Sequence, residues 1–311
     1  MLSIIFSHIG YFLVSDQRFL FPLSVAAGVG VNLFLFLSGY GLTLSQSKRP
    51  LSIWKFYRTR LIKLLVPLWI VLVVFFMLDY FMLHQSYPWD YILKSFLGFF
   101  QTSNPYSDID SPLWYLTLIL YYYLIFPIFF HPKKNILTGL GVLVLTLVLL
   151  KLPLSISDAN IHLYKLHYLA FPLGVMAAVL KSWDKINQLS HFLSRTWLRA
   201  IILLVLCLLF AYFAIHSGIS EGLFKEHAIS LISTFLALLI FLFKNFKFRI
   251  LNLIGKYSYE IYLIHWPILF SFDHFFKLLP AAAAAVFYLV EFVVLGIILQ
   301  KLANQISERL R

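Results

Sequence analysis

Across 311 residues the chain is 61% hydrophobic and only 12% charged, which excludes an ordinary soluble globular domain and points to a polytopic helical membrane protein. The apolar residues fall in long unbroken runs rather than in short alternating strands, which argues against a β-barrel. A formal net charge of +12 would suggest nucleic acid in a soluble chain; here most of the excess falls in loops that face anionic lipid head groups, and no nucleic-acid partner is expected. Cys207 is the single cysteine, so an intramolecular disulfide and a cysteine metal cluster are both excluded, and no metal is expected.

The expected fold is an all-α transmembrane bundle of about ten spans forming one membrane-embedded domain over 1–311, with no soluble domain, linker or repeat. The spans fall at roughly 1–14, 27–45, 64–84, 113–130, 136–150, 161–180, 200–217, 227–243, 257–276 and 281–300. The first run has no basic segment before it and no small-residue cleavage site after it, so it reads as a span and not as a signal peptide. In it His8 lies about 10 Å inside the outer boundary at Ser15, by the rise of 1.5 Å per residue. An ionisable group at that depth is a functional candidate, and imidazole serves as a general base near neutral pH. The alternative is a neutral histidine bonded to a neighbouring helix.

Gly28 to Trp69 organises the chain. A glycine-rich apolar helix ends in Ser38-Gly39-Tyr40, a basic turn follows with Arg58-Thr59-Arg60, and a second apolar helix is entered through Pro67-Leu68-Trp69. Small residues allow close helix contact; alternatively Gly39 lets a ligand approach the backbone near the inner leaflet. On a turn Arg58 and Arg60 point the same way, as a polyanion such as a nucleotide would need; on a helix they diverge by about 200°. As isolated features they also serve as ordinary positive-inside charges.

Further along, the long external loop carries an interfacial helix over 89–100, and Trp114-Tyr115 and Tyr121-Tyr122-Tyr123 are either interface anchors or cavity walls. Glu260 and Glu291 fall inside or at the edge of spans, and Glu260 has Lys256 four residues before it as a pairing partner. His265-Trp266-Pro267 lies deeper, where proline kinks the helix and leaves carbonyls to bind something.

In order along the chain, these pieces resemble the acyltransferase-3 family of integral membrane acyltransferases. The resemblance runs through Ser7-His8, Gly30-Val31-Asn32-Leu33-Phe34 with Leu37-Ser38-Gly39-Tyr40, Arg58-Thr59-Arg60 before Pro67-Leu68-Trp69, and Leu113-Trp114-Tyr115. It closes with Ile254-Gly255-Lys256-Tyr257-Ser258-Tyr259 and Ile261-Tyr262-Leu263-Ile264-His265-Trp266-Pro267. It implies a multi-pass protein of the inner (cytoplasmic) membrane that moves an acyl group, acetyl by default, from cytoplasmic acyl-CoA to a hydroxyl of a surface glycan or its lipid-linked precursor. His8 is then catalytic, Arg58 and Arg60 sit at the donor site with Ser38, Gly39 and Tyr40 beside the donor cleft, and Tyr40, Trp114 and Tyr115 are candidate oxyanion donors. Glu260 and His265 join Trp114 and Tyr115 as possible acceptor contacts. The acceptor arrives through the bundle or by a separate partner protein. A transporter or flippase of a glycan or lipid-linked substrate is the competing reading, since an aromatic-lined cavity with intramembrane His and Glu serves it equally.

The family pattern also holds an arginine upstream of the histidine, and few apolar residues precede Ser15-Asp16. Met1 is therefore expected to be an internal methionine of a helix beginning about ten to twenty residues earlier. Nineteen of the 25 Lys and Arg fall on one side of the ten-span map, which puts both termini in the cytoplasm. Reporter fusions after Lys134 and Lys256 should read cytoplasmic and one after Asp108 external. A cytoplasmic reading at Asp108 would break the map.

Overall fold

The computed structural model describes residues 1–12, 27–100, 111–152, 156–178, 196–216, 222–243 and 249–310. Ser15-Asp16, Asp108 and most of the 181–199 loop lie outside the described residues. Among those described there are thirteen α-helices, one 3₁₀ turn (Ser111–Leu113) and no strand. The helices are α1 Leu2–Phe12, α2 Ala27–Lys48, α3 Ile53–Met82, α4 Trp89–Phe96, α5 Trp114–Phe129, α6 Asn135–Leu149 and α7 Asp158–His167. The set continues with α8 Ala170–Ala177, α9 Thr196–Ile215, α10 Leu223–Phe243, α11 Arg249–Lys256, α12 Ser258–Ser271 and α13 Ala281–Leu310. Four stretches (Gly28–Lys48, Ile53–Met82, Leu223–Phe241 and Ala281–Leu310) are long and apolar enough to cross a bilayer; Trp114–Phe129, Asn135–Leu149 and Trp197–Phe213 are shorter and apolar.

Several boundaries differ from the hydropathy reading, for one physical reason: apolar runs mark the lipid-facing part of a helix and not where its hydrogen-bond ladder stops. α3 begins at Ile53, where Ser52 Oγ accepts from the Lys55 amide at 3.4 Å, so the segment holding Arg58 and Arg60 is helix and not turn. α13 likewise runs on to Leu310 through a polar last third. The sixth expected span is two helices, broken at Tyr168–Leu169, where Tyr122 Oη donates to the Tyr168 carbonyl at 2.9 Å.

α12 is the centre of the bundle. Every residue from Glu260 to Leu269 is buried, and α1, α3 and α13 pack on it. A helix apolar all round has no wet face to show, which suits a position enclosed by other helices. α1 contributes Ile4, Ile5 and Ile9 to the same core. Outside it, Val73, Met77 and Tyr80 of α3 and Val290, Val294 and Ile298 of α13 stand exposed at helical spacing, the faces that lipid covers. α4 lies against α3, with Trp69 Nε1 donating to the Phe96 carbonyl at 2.7 Å, and it turns Trp89 and Leu93 outward, followed by Leu97 just past its end. On its polar side the Lys94 ammonium bonds Asp90 at 3.1 Å and holds that carboxyl below its ordinary range.

The closest helix pair is α2 with α8. A Cβ on Gly39 would strike the Phe171 carbonyl, and one on Gly174 would strike the Phe36 carbonyl. These glycines let the two backbones touch, the usual device where lipid removes any hydrophobic drive between helices. A polar fastener joins the same helix to α7 and α10. Asn32 Nδ2 donates to Ser230 Oγ at 2.8 Å, and His167 Nδ1 donates to Asn32 Oδ1 at 2.7 Å. Gly174→Ala should lower the thermal midpoint of the purified protein, since overpacking a rigid contact costs about 1–3 kcal/mol. Gly41→Ala, with nothing within 4 Å of the new methyl, should leave it unchanged.

Candidate active site

Arg60, Lys63 and Lys256 line a cavity of about 400 Å³ with Glu260, Gln300, Asn304 and Ser307. Arg60 Nε is buried and unbonded among the described residues, and its guanidinium lies 5.9 Å from the centre of the Phe56 ring. A half-buried guanidinium that lines a cavity, with its Nε left without a protein acceptor, is a site for an anion. Arg58 does something else. One hundred degrees of helical turn per residue carries it off that face, and its Nη2 donates to the Leu310 carbonyl at 2.9 Å at the end of α13. The expectation that the two arginines act together therefore needs correcting: only Arg60 reaches the cavity. Glu260 is also not paired with Lys256. Gln300 Nε2 is 3.4 Å from its Oε1, while the Lys256 ammonium sits 5.1 Å from the Tyr257 ring centre. Glu291 lies within α13, its Oε2 3.3 Å from Nε2 of His274 in the α12–α13 connection.

Leu64, Tyr123, Ser258 and Tyr259 also line a second, mostly apolar cavity of about 330 Å³, so this tunnel-like space adjoins the cationic vestibule across shared wall residues. Tyr115, Ile119, Ser38, Phe34, Ile4 and Tyr262 complete much of its wall. Most of its hydroxyls are already committed. Tyr123 Oη and Ser38 Oγ are 3.0 Å apart, Tyr259 donates to the Leu64 carbonyl at 2.6 Å, and Tyr262 donates to the Pro112 carbonyl. Tyr115 Oη has no bond to a described residue.

Sequence reasoning put Ser38, Gly39 and Tyr40 side by side at this cleft, and the helix separates them. Ser38 faces the tunnel, Gly39 is spent on the Phe171 contact, and Tyr40 stacks on Phe36 at 6.4 Å. Trp114 and Tyr115 part in the same way. Trp114 is buried and stacks on His167 at 5.6 Å, away from the tunnel, whereas Tyr115 forms its wall and meets Tyr262 edge-on at 5.5 Å. Of the tyrosine run read as anchors or cavity walls, Tyr123 lines both cavities, whereas Tyr259, Gln300 and Asn304 were missed as wall residues. The signal was present only as polar residues on apolar helices, since their convergence depends on how α3, α5, α12 and α13 pack.

His8 and His265, 257 positions apart, meet at the far end. His8 Nδ1 is 2.7 Å from His265 Nε2, with the rings stacked at 5.0 Å and 3°. Trp266 stands edge-on to His8 at 4.9 Å. Neither imidazole lines the tunnel directly. Its walls include Ile4, one turn before His8, and Tyr262, whose ring lies 6.0 Å from that of His265. α12 runs unbroken through Pro267, and the carbonyls of Ile261 and Tyr262 face His265 Nδ1 at 3.2 and 2.8 Å. His265 is thus a partner of His8 and is enclosed, which does not suit a direct acceptor contact.

The class these features define is a multi-pass helical membrane protein with a cation-lined vestibule and an apolar tunnel that ends beside a histidine pair. The profile of the acyltransferase-3 family, described as an acyltransferase domain, matches residues 1–301 of the 311-residue chain, and the chain belongs to that family. It is a membrane acyltransferase. No curated protein and no solved structure matches it.

Proposed function

We propose that the protein transfers an acyl group, acetyl in the simplest case, from cytoplasmic acyl-CoA to a hydroxyl of a surface glycan or its lipid-linked precursor. In this reading it spans the cytoplasmic membrane ten times with both termini inside. The observation that carries the reading is the buried, unbonded Nε of Arg60 in a cationic cavity beside a tunnel whose wall residues Ile4 and Tyr262 neighbour His8 and His265. A donor with a polyanionic head and a slim, largely neutral arm matches that sequence of environments: phosphates at Arg60, Lys63 and Lys256, the pantetheine arm past Tyr123 and Ser38, and the thioester towards His8.

In the transfer, His8 takes the proton from the acceptor hydroxyl as its oxygen attacks the thioester carbonyl. The C–O bond forms and the carbonyl electrons move to the oxygen, where the uncommitted Tyr115 hydroxyl is the best-placed donor among the tunnel tyrosines. On collapse the C–S bond breaks, and the departing thiolate recovers the proton from the His8 imidazolium. Proton count and charge balance without a metal or a redox partner. The acceptor approaches His8 from the side opposite the vestibule, where a membrane-bound or externally delivered glycan can reach it.

Membranes carrying the protein, given radiolabelled acetyl-CoA, should move label to a glycan fraction. His8→Ala should lower that transfer by about 10²–10⁴-fold with donor binding intact, since loss of a general base has that size. Transfer at the unmodified rate would remove His8 from the mechanism. Arg60→Lys keeps the charge but loses the planar fork, and should raise the KM for the donor without altering membrane insertion. Arg58→Lys should leave that KM unchanged. Equal effects from the two would contradict the vestibule as the donor site.

A further inference from the structure

We propose that His265 is a positioning residue that sets the tautomer of His8, so that the lone pair which accepts the acceptor's proton sits on His8 Nε2. The inference rests on His8 being the general base. It begins at the backbone. Nδ1 of His265 faces two carbonyl oxygens, Ile261 at 3.2 Å and Tyr262 at 2.8 Å, and a carbonyl only accepts. Nδ1 of His265 therefore carries a hydrogen. In a neutral ring its Nε2 is then bare and accepts. The atom 2.7 Å from that bare nitrogen is His8 Nδ1, so His8 Nδ1 donates, and in neutral His8 the remaining nitrogen, Nε2, has the free pair.

Each link is forced by the one before it, and the first link is a main-chain group that cannot change protonation. The arrangement follows the logic of an orienting group behind a catalytic imidazole, here supplied by a second imidazole. It also fixes the ring plane, since the two rings lie within 3° of parallel and Trp266 closes on the His8 edge at 4.9 Å. When His8 Nε2 takes the proton, its Nδ1–H bond to His265 is kept and gains charge assistance. No proton needs to leave the pair before the thiolate recovers it. His265 is fully enclosed, so it acts through His8 and does not touch substrate.

Two variants separate positioning from packing. In His265→Gln the side-chain amide oxygen stands where Nε2 was and accepts from His8 Nδ1, whereas His265→Leu fills the space and accepts nothing. His265→Leu should lose about 10²–10⁴-fold in kcat with the donor KM unchanged, and His265→Gln should recover at least about tenfold of that loss. Equal losses in the two variants, or a loss confined to donor KM, would overturn the proposal. A measurement on the unaltered chain covers the case in which a variant does not fold. In lipid nanodiscs with ¹⁵N-labelled histidine, the His8 ring should show a protonated Nδ1 and a bare Nε2. The opposite tautomer at His8 would overturn the proposal even if His8→Ala is inactive. An active His8→Ala would instead remove the reading beneath it.

Discussion

The hydrogen bond between His8 and His265 depends on the burial of α12 from Glu260 to Leu269. Inside a bundle a ring nitrogen with no partner costs several kcal/mol, because no water replaces the missing bond. A buried imidazole gains from protein partners there, and His265 finds two on its own helix and one on α1. Burial, which looks like a structural requirement, thereby gives the pair a direction: the bond order is set from a main-chain carbonyl outward to the less buried ring of His8.

The tunnel below the pair shows the same economy. Tyr123, Tyr259 and Tyr262 line it, yet each hydroxyl is bonded to a different element: Ser38 of α2, Leu64 of α3, and Pro112 in the 3₁₀ turn before α5. These bonds lock the helices that form the walls, so the passage is held open by fixed partners and not by mobile side chains. The vestibule is built differently. Its one lining carboxylate, Glu260, accepts from Gln300 at 3.4 Å and does not pair with Lys256.

Farther from the tunnel the bundle is held by contacts that carry no chemistry. Gly39 and Gly174 bring α2 and α8 together backbone to backbone, and Asn32 bridges His167 and Ser230 across three helices. Such contacts replace the hydrophobic drive that lipid abolishes. They also explain why residues in one short motif have different fates. Ser38, Gly39 and Tyr40 are neighbours in sequence, but a helix sends each about 100° from the last.

Much of the protein was legible in the residues themselves. Membrane residence, helical class and the elements flanking each loop follow from apolar run length and charge, which are local quantities. His8 stood out because an ionisable group deep in an apolar run is rare, and the ordered motifs carried the family. What the residues could not decide was which groups share a space. Arg58 and Arg60 were paired by proximity in sequence, and a helix beginning at Ile53 parted them. Glu260 was matched to Lys256 by spacing, and α13 supplied Gln300 instead. The meeting of His8 with His265 joins residues 257 positions apart. No local pattern encodes that contact. It follows from the packing of α1 on α12, and with it comes the assignment of which ring donates.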